Sequence, residues 1–148
     1  MSAIAETKPS LTLERRIAAP PAKIFAAWTK PEKMMGWWGT KDATTLRADV
    51  DLRVGGRFAV GFRTPDGQEH NVSGVYREIV ADEKLVFTWA WRSTPERESL
   101  VTVTIRPDGD GAMLTLHHAE FFDETARDNH RGGWTSSLDR LEACVEAA

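Results

Sequence analysis

Residues 100–120, LVTVTIRPDGDGAMLTLHHAE, decide the fold class of this chain. Apolar and polar residues alternate on both sides of Pro107-Asp108-Gly109, and a period of two is typical of a half-buried strand. A short turn between two such strands requires an antiparallel pair, because parallel strands need a long crossover connection. The stretch therefore predicts a β-hairpin within an antiparallel sheet.

Further strand-like segments precede this hairpin and extend the predicted sheet. They lie at residues 11–17, 44–52, 57–62, 71–80 and 85–91. Turn signals separate them, including Gly55-Gly56 and the sequence Thr64-Pro65-Asp66-Gly67, in which proline presets φ and glycine adopts positive φ. Together with the hairpin, these segments predict an antiparallel meander of about six or seven strands.

Prolines and helical spacing predict the helices. Pro20-Pro21 and Pro31 can each begin a short helix, because proline is tolerated in the first helical turn. After residue 123 the apolar residues take helical spacing; they are Trp134, Leu138, Leu141 and Val145. Gly132-Gly133 would cost such a helix about 2 kcal/mol relative to alanine. We therefore expect a short helical lead-in followed by a longer helix.

The element order predicts one α+β domain over residues 11–148. In it an antiparallel sheet packs with a long C-terminal helix, and two short helices follow the first strand. Residues 1–10 are polar, and we predict that they form a flexible N-terminal tail. A chain of 148 residues is long enough to bury such a core without a metal or disulfide.

Composition and charge exclude several classes of partner. The formal net charge is −3, which provides no basic field for a nucleic-acid backbone, so we expect no nucleic-acid partner. No apolar run has the length of a signal peptide or a membrane span. The single cysteine, Cys144, suits a reducing compartment. We therefore predict a cytoplasmic protein without a membrane span.

Several local strings, taken in order, resemble one known family. They are Arg16-Ile17-Ala18-Ala19-Pro20-Pro21, Arg53-Val54-Gly55-Gly56-Arg57-Phe58, Gly74-Val75-Tyr76-Arg77-Glu78-Ile79, Leu114-Thr115-Leu116-His117-His118 and Gly133-Trp134. The chain is similar to the activator of heat-shock-protein-90 ATPase homologue family, within the START/polyketide-cyclase-like (SRPBCC) superfamily. The resemblance implies an α+β helix-grip fold, in which a curved antiparallel sheet wraps the long C-terminal helix around a cavity that often accepts small apolar molecules. The superfamily includes carriers, cyclases, hydrolases and co-chaperone domains, so the fold alone does not decide the function.

Aromatic residues are the candidate walls of the predicted cavity. The chain has six tryptophans, of which we favour Trp37, Trp89 and Trp134 as wall residues. The full predicted ligand-binding set is Trp28, Trp37, Phe58, Tyr76, Trp89, Trp91, Leu116, His118, Glu120, Trp134 and Leu138. The alternative for any tryptophan is that it fills the core, because aromatic rings contribute a large buried area wherever they pack.

His118 and Glu120 are the candidate polar residues of the cavity. Both share strand parity with Leu114 and Leu116, so we expect both to face the helix. One interpretation is a pair that orients a ligand or transfers protons. The alternative is that His118 bonds a backbone group while Glu120 reaches solvent. The four histidines lack the spacing of a metal site, so no metal or cofactor is predicted.

Three functions remain open from the sequence. The first is a binding protein for a small hydrophobic molecule, with His118, Glu120, Arg57 or Tyr76 at the ligand's polar end. The second is a cyclase- or hydrolase-like enzyme that uses His118 and Glu120. The third is a stress-related module that contacts a chaperone or another protein partner. A homodimer is also compatible with the family resemblance.

Overall fold

The computed structural model describes residues 8–147. Over this range the chain forms seven strands and three helices. In chain order they are β1 (Leu11–Ile17), α1 (Pro21–Thr29), α2 (Pro31–Met34), β2 (Thr44–Val50), β3 (Arg57–Arg63), β4 (Glu69–Val80), β5 (Lys84–Trp91), β6 (Ser99–Asp108), β7 (Gly111–Ala119) and α3 (Glu124–Glu146). None of these helices combines the length and apolar character needed to cross a membrane.

The strands form one antiparallel sheet in the order β1-β7-β6-β5-β4-β3-β2. From β2 to β7 each strand pairs with the next along the chain, and β1 pairs with β7. In the hairpin of β6 and β7, Val103 lies opposite Leu116 and Val101 opposite His118, which puts their buried side chains on one face. The predicted α+β helix-grip fold is therefore confirmed.

One local feature differs slightly from the sequence-based expectation. The turn between β6 and β7 lies later than predicted, because Pro107 and Asp108 still pair with Ala112 and Gly111. Gly109 then adopts a φ of 62°, which suits glycine in a tight turn.

Proline positions explain the two short helices. Pro21 occupies the first turn of α1, where its missing N–H leaves no hydrogen bond unmade. Lys30, which precedes Pro31, is extended with φ −98° and ψ 121°, as expected for a residue before proline. Pro31 therefore ends α1 and begins α2. Contacts of α1 with β6 and α3 hold it over the inner face of the sheet.

The C-terminal helix is continuous, so the predicted break at Gly132-Gly133 is wrong. It begins after Asp123, whose side chain accepts a hydrogen bond of 2.8 Å from the Ala126 N–H. A Cβ added at Gly132 would meet nothing within 4 Å, and one at Gly133 would make an ordinary 3.6 Å contact with Thr40. Packing therefore does not require either glycine, and tertiary contacts of the following residues carry the helix through them.

Arg15 interrupts the apolar alternation of β1 because it binds the C-terminal helix. Its guanidinium donates to Asp139 at 2.7 Å and to Glu142 at 3.0 Å. The predicted tail, residues 1–10, lies mainly outside the described residues. Within the described part, the Pro9 carbonyl accepts a 3.1 Å hydrogen bond from the Phe121 N–H.

Candidate functional site

An open-sided cavity of about 270 Å³ lies between the sheet, the loop after α2 and the middle of α3. Its lining is mostly apolar and contains no Asp, Glu, Lys or Arg side chain. The lining residues are Trp37, Trp38, Gly39, Thr40, Phe62, Trp89, Trp91, Asn129, His130, Gly133, Trp134 and Ser137. Such a concave, aromatic surface with few polar groups is the usual form of a small-molecule site.

Stacked indoles form the wall of this cavity. Trp38 stacks on Trp89 with ring centroids 5.9 Å apart and an interplanar angle of 22°. Trp89 also contacts Trp134 at 5.0 Å and meets Trp91 edge-on at 5.5 Å. Trp89 and Trp91 share a face of β5 because successive strand side chains alternate. These contacts pack the rings against one another along one side of the cavity.

Hydrogen bonds fix the loop that closes one side of the cavity. The Ser137 hydroxyl donates to the Gly39 carbonyl at 2.7 Å, which ties the loop to α3. Arg140 donates to the Thr40 carbonyl at 2.9 Å, and the Thr45 hydroxyl donates to the Trp38 carbonyl at 2.7 Å. Gly39 has a φ of 113°, a conformation that favours glycine. The loop position is therefore set by backbone contacts as well as by its tryptophans.

His118 lies at the centre of a buried hydrogen-bond chain behind the wall. Its side chain is 0% exposed. The Trp134 indole N–H lies 2.9 Å from His118 Nδ1, and the Ser99 hydroxyl lies 2.7 Å from His118 Nε2. An indole N–H can only donate, so His118 Nδ1 accepts and the ring proton is on Nε2. His118 then donates to Ser99, whose hydroxyl donates to the Trp89 carbonyl at 3.3 Å.

These hydrogen-bond directions give the Ser99–His118 pair a structural role, because they do not allow His118 to activate the serine. A histidine that activates a serine needs its facing nitrogen as an acceptor. Here that nitrogen carries the proton, and the lone pair of the other nitrogen is occupied by Trp134. Each polar side-chain group among Ser99, His118 and Trp134 has a hydrogen-bond partner. These bonds fix β6, β7 and α3 relative to one another.

His130 on α3 makes a second pair of the same kind. The Trp91 indole N–H lies 2.9 Å from His130 Nε2, and His130 Nδ1 lies 2.7 Å from the Ala126 carbonyl. The same donor argument puts the His130 proton on Nδ1, which donates to Ala126. The rings of His118 and His130 are 5.1 Å apart. Two neutral histidines thus bridge the sheet and the helix beside the cavity.

Burial keeps both imidazoles neutral. It lowers the pKa of His118 well below the ordinary value of 6.5, and the nearby His130 and His117 would add repulsion to a charge there. Burial also lowers the pKa of His130, against a smaller opposite effect from its bond to Ala126. Burial raises the pKa of the Tyr76 hydroxyl above its usual value of 10. The aromatic core therefore carries no charge from these groups at neutral pH.

Two buried indole N–H groups have no hydrogen-bond partner among the described residues, those of Trp28 and Trp89. An unpaired buried donor costs about 1–3 kcal/mol. Trp89 lines the main cavity, whereas Trp28 borders a void of about 10 Å³ with Met34, Trp38, Phe58, Tyr76 and Phe87. Within residues 8–147, no group of three His, Cys, Asp or Glu side chains could hold a metal ion.

A family model described as Activator of Hsp90 ATPase homolog 1-like protein matches residues 18–146. The chain belongs to this family. The family is part of the SRPBCC/START-like superfamily, so the resemblance seen in the sequence is confirmed. No curated protein matches the chain.

Solved structures of similar proteins cover nearly all of this family member. Protein CV1439 from Chromobacterium violaceum is 27% identical to this chain, with a TM-score of 0.86. The match covers 94% of this chain and 98% of that one. The AHSA1 protein from Silicibacter pomeroyi is 32% identical with a TM-score of 0.81, covering 91% of this chain and 96% of that one. The AHSA1-like protein from Aeromonas hydrophila is 22% identical with a TM-score of 0.77, covering 93% of this chain and 92% of that one, and it shares the fold.

The fold brings only some of the predicted site residues to the cavity. Those that line it are Trp37, Trp89, Trp91 and Trp134. Those that border the small void instead are Trp28, Phe58 and Tyr76. The remaining buried ones, which line neither space, are Leu116, His118 and Leu138. Arg57 is exposed at the start of β3.

Glu120 is the clearest correction. Strand parity predicted that it faces the cavity, but β7 ends at Ala119 and Glu120 adopts a φ of 65°. The left-handed backbone breaks the alternation, and the side chain is exposed. His118 and Glu120 therefore do not form a pair in one cavity.

Sequence reasoning missed several lining residues. Phe62 has the same parity as Phe58 and Val60 in β3, so the alternation held the signal for it. His130, Gly133 and Ser137 recur at intervals of three and four and share one face of α3, which also marked them as a group. Thr40 and Asn129 lie at the rim and gave no comparable signal in the sequence.

Proposed function

We propose that this protein binds a small, apolar, uncharged molecule in the cavity between β5 and α3. The observation that carries the proposal is the open space of about 270 Å³ beside the stacked indoles, which the tryptophans leave unfilled. Family membership is compatible with ligand binding, since START-like domains use this scaffold for small molecules.

The enzyme alternative gains no support from the site. His118 has both nitrogens committed to Ser99 and Trp134, and Glu120 is exposed. Proton transfer requires a base within reach of a bound substrate, and neither residue lines the cavity. A chaperone or other protein partner, a homodimer, a stress-related role and a cytoplasmic location stay predictions of the sequence and the family.

A pair of neighbouring glycines provides the test of the proposed site. Gly133 lines the cavity, whereas a side chain at Gly132 would enter open space. We expect Gly133→Leu to abolish binding because the added side chain occupies the cavity. Gly132→Leu is the matched control, with the same chemistry one residue away, and should bind normally.

The measurement is native mass spectrometry of both variants and the parent with a panel of neutral one- and two-ring compounds, followed by calorimetry on the hits. Circular dichroism confirms that each variant is folded. Equal binding by Gly133→Leu and the parent would place the ligand elsewhere. Failure of every neutral ring compound to bind the parent would refute the proposal.

A further inference from the structure

The wall of the cavity contains a tryptophan whose indole N–H is buried and left unpaired by the described part of the chain. Trp89 is 5% exposed, and its Nε1 has no acceptor within residues 8–147. The ring lies in the cavity wall, stacked on Trp38 and in contact with Trp134. Because the nitrogen is buried from water, solvent does not supply the missing acceptor in the protein alone.

Several other polar groups of the lining are already committed to protein partners. Three indole N–H groups and one hydroxyl donate to protein acceptors, and the His130 nitrogens are both engaged. These donors and their acceptors are Trp37 to Ala27, Trp91 to His130, Trp134 to His118 and Ser137 to Gly39. Trp89 therefore differs from these neighbours in having a donor to spare.

We propose that the ligand is a neutral one- or two-ring molecule whose hydrogen-bond acceptor, such as a ring carbonyl, receives the Trp89 indole N–H. This inference rests on the function proposed above and specifies the ligand class. The acceptor reaches the N–H through a side-chain adjustment of the kind that is common on binding. The flat indole wall favours a flat ligand, which can stack on it.

The charge and the size of the cavity restrict the class of ligand further. A carboxylate would lose its hydration in this cavity without meeting a cationic side chain, and burying an unpaired charge is strongly unfavourable. The volume of about 270 Å³ lies just below the roughly 300–1,000 Å³ of pockets for drug-sized ligands. One or two rings therefore fit better than a long lipid chain.

A matched set of bicyclic probes tests the inference directly. Indane, indanone and indane carboxylate have the same ring system and differ in the presence of an acceptor or a charge. We expect indanone to bind on the order of tenfold more tightly than indane, because it alone of the two pairs the buried N–H. Indane carboxylate should bind more weakly than either.

Indole ¹⁵N–¹H spectra of the unmodified protein report on the donor itself. Trp89→Phe and Trp28→Phe assign the two signals. Indanone should move the Trp89 N–H signal downfield, as expected for a new hydrogen bond, whereas indane should not. Trp28 is the internal control, because its N–H is equally buried and unpaired but its ring does not line the cavity; its signal should stay in place.

The outcomes separate this inference from the proposed function. Equal affinities for indane and indanone, with no downfield movement of the Trp89 signal, overturn the acceptor assignment and leave cavity binding intact. Tightest binding of indane carboxylate overturns the neutral class. Absence of binding by all three probes overturns both the inference and the proposed function.

Discussion

The two halves of α3 are held to the protein in different ways, although they form one helix. From Trp134 onward the helix places a buried residue in every turn; these residues are Trp134, Ser137, Leu138, Leu141 and Val145. From Glu124 to Gly133 it has no buried residue. The second half therefore provides the apolar contact that stabilises the helix-grip fold.

Polar and aromatic contacts hold the first half instead. Asp123 caps its N-terminus, and His130 accepts a hydrogen bond from Trp91. The His130 ring also lies 4.9 Å from the buried Phe121 ring. The half that ends at the cavity thus depends on a few directional contacts and contains the unfavourable glycine pair. The difference teaches that apolar packing holds only the second half of the helix, although both halves line the cavity: His130 and Gly133 belong to the first half, and Trp134 and Ser137 to the second.

The largest expected effect is the loss of a core anchor in the second half. Leu141→Ala removes a side chain that is 0% exposed and should lower the free energy of unfolding by about 2–5 kcal/mol. Thr125→Ala is the control in the first half, where the side chain is exposed, and should change it by less than about 0.5 kcal/mol. Urea unfolding measures both. Similar losses in the two variants would contradict the comparison.

Acidification should weaken the contacts made by the two histidines. In the folded protein burial lowers the pKa of His118 and His130 below 6.5. Below that pH the unfolded chain takes up protons that the folded chain does not, so the free energy of unfolding decreases as the pH falls. Each histidine adds a slope of up to about 1.4 kcal/mol per pH unit, from pH 6.5 down to its own folded pKa.

Urea unfolding between about pH 8 and pH 5 measures this slope. His130→Gln removes one of the two titrating groups and should reduce the slope by up to half. Above pH 6.5 neither histidine contributes to the pH dependence of the free energy of unfolding. An unchanged slope in the variant would mean that His130 does not remain neutral in the folded protein.

Loss of the Trp91 donor should loosen the first half of α3 selectively. Trp91→Phe keeps an aromatic ring but leaves His130 Nε2 without its hydrogen bond, at a cost of about 1 kcal/mol. Amide hydrogen exchange of residues 124–131 should accelerate while that of the second half stays slow. Trp37→Phe is the control, because its N–H binds Ala27 rather than α3. Equal acceleration in both variants would show that the Trp91–His130 bond has no special role.

Much of this architecture follows from local pattern. Alternation in β7 correctly put Leu114, Leu116 and His118 on the buried face, because a strand allows its side chains only two directions. The same rule failed at Glu120, where the strand has ended and the backbone is left-handed. Helical spacing located α3, but propensity overestimated the effect of its glycines, since tertiary packing outweighs an unfavourable pair.

The site was less accessible to sequence reasoning because its key contacts join distant residues. His118 meets Ser99 and Trp134, which are 19 and 16 residues away. Nothing in the sequence around His118 specifies which nitrogen accepts, and only the indole donor settles it. Tryptophan content predicted an aromatic cavity wall, but the division of the rings between core and cavity depends on the three-dimensional packing.

The smallest effect concerns the glycine pair itself. Gly132→Ala and Gly133→Ala each improve helix propensity, and neither added methyl group clashes. We expect each to raise the free energy of unfolding by roughly 0.5–1 kcal/mol. Their effects on binding should differ, because only Gly133 lines the cavity. Indanone affinity should fall in Gly133→Ala and stay unchanged in Gly132→Ala, as measured by calorimetry. Equal affinity in both variants, with both stabilised, would mean that the glycine at 133 is not needed for access to the cavity.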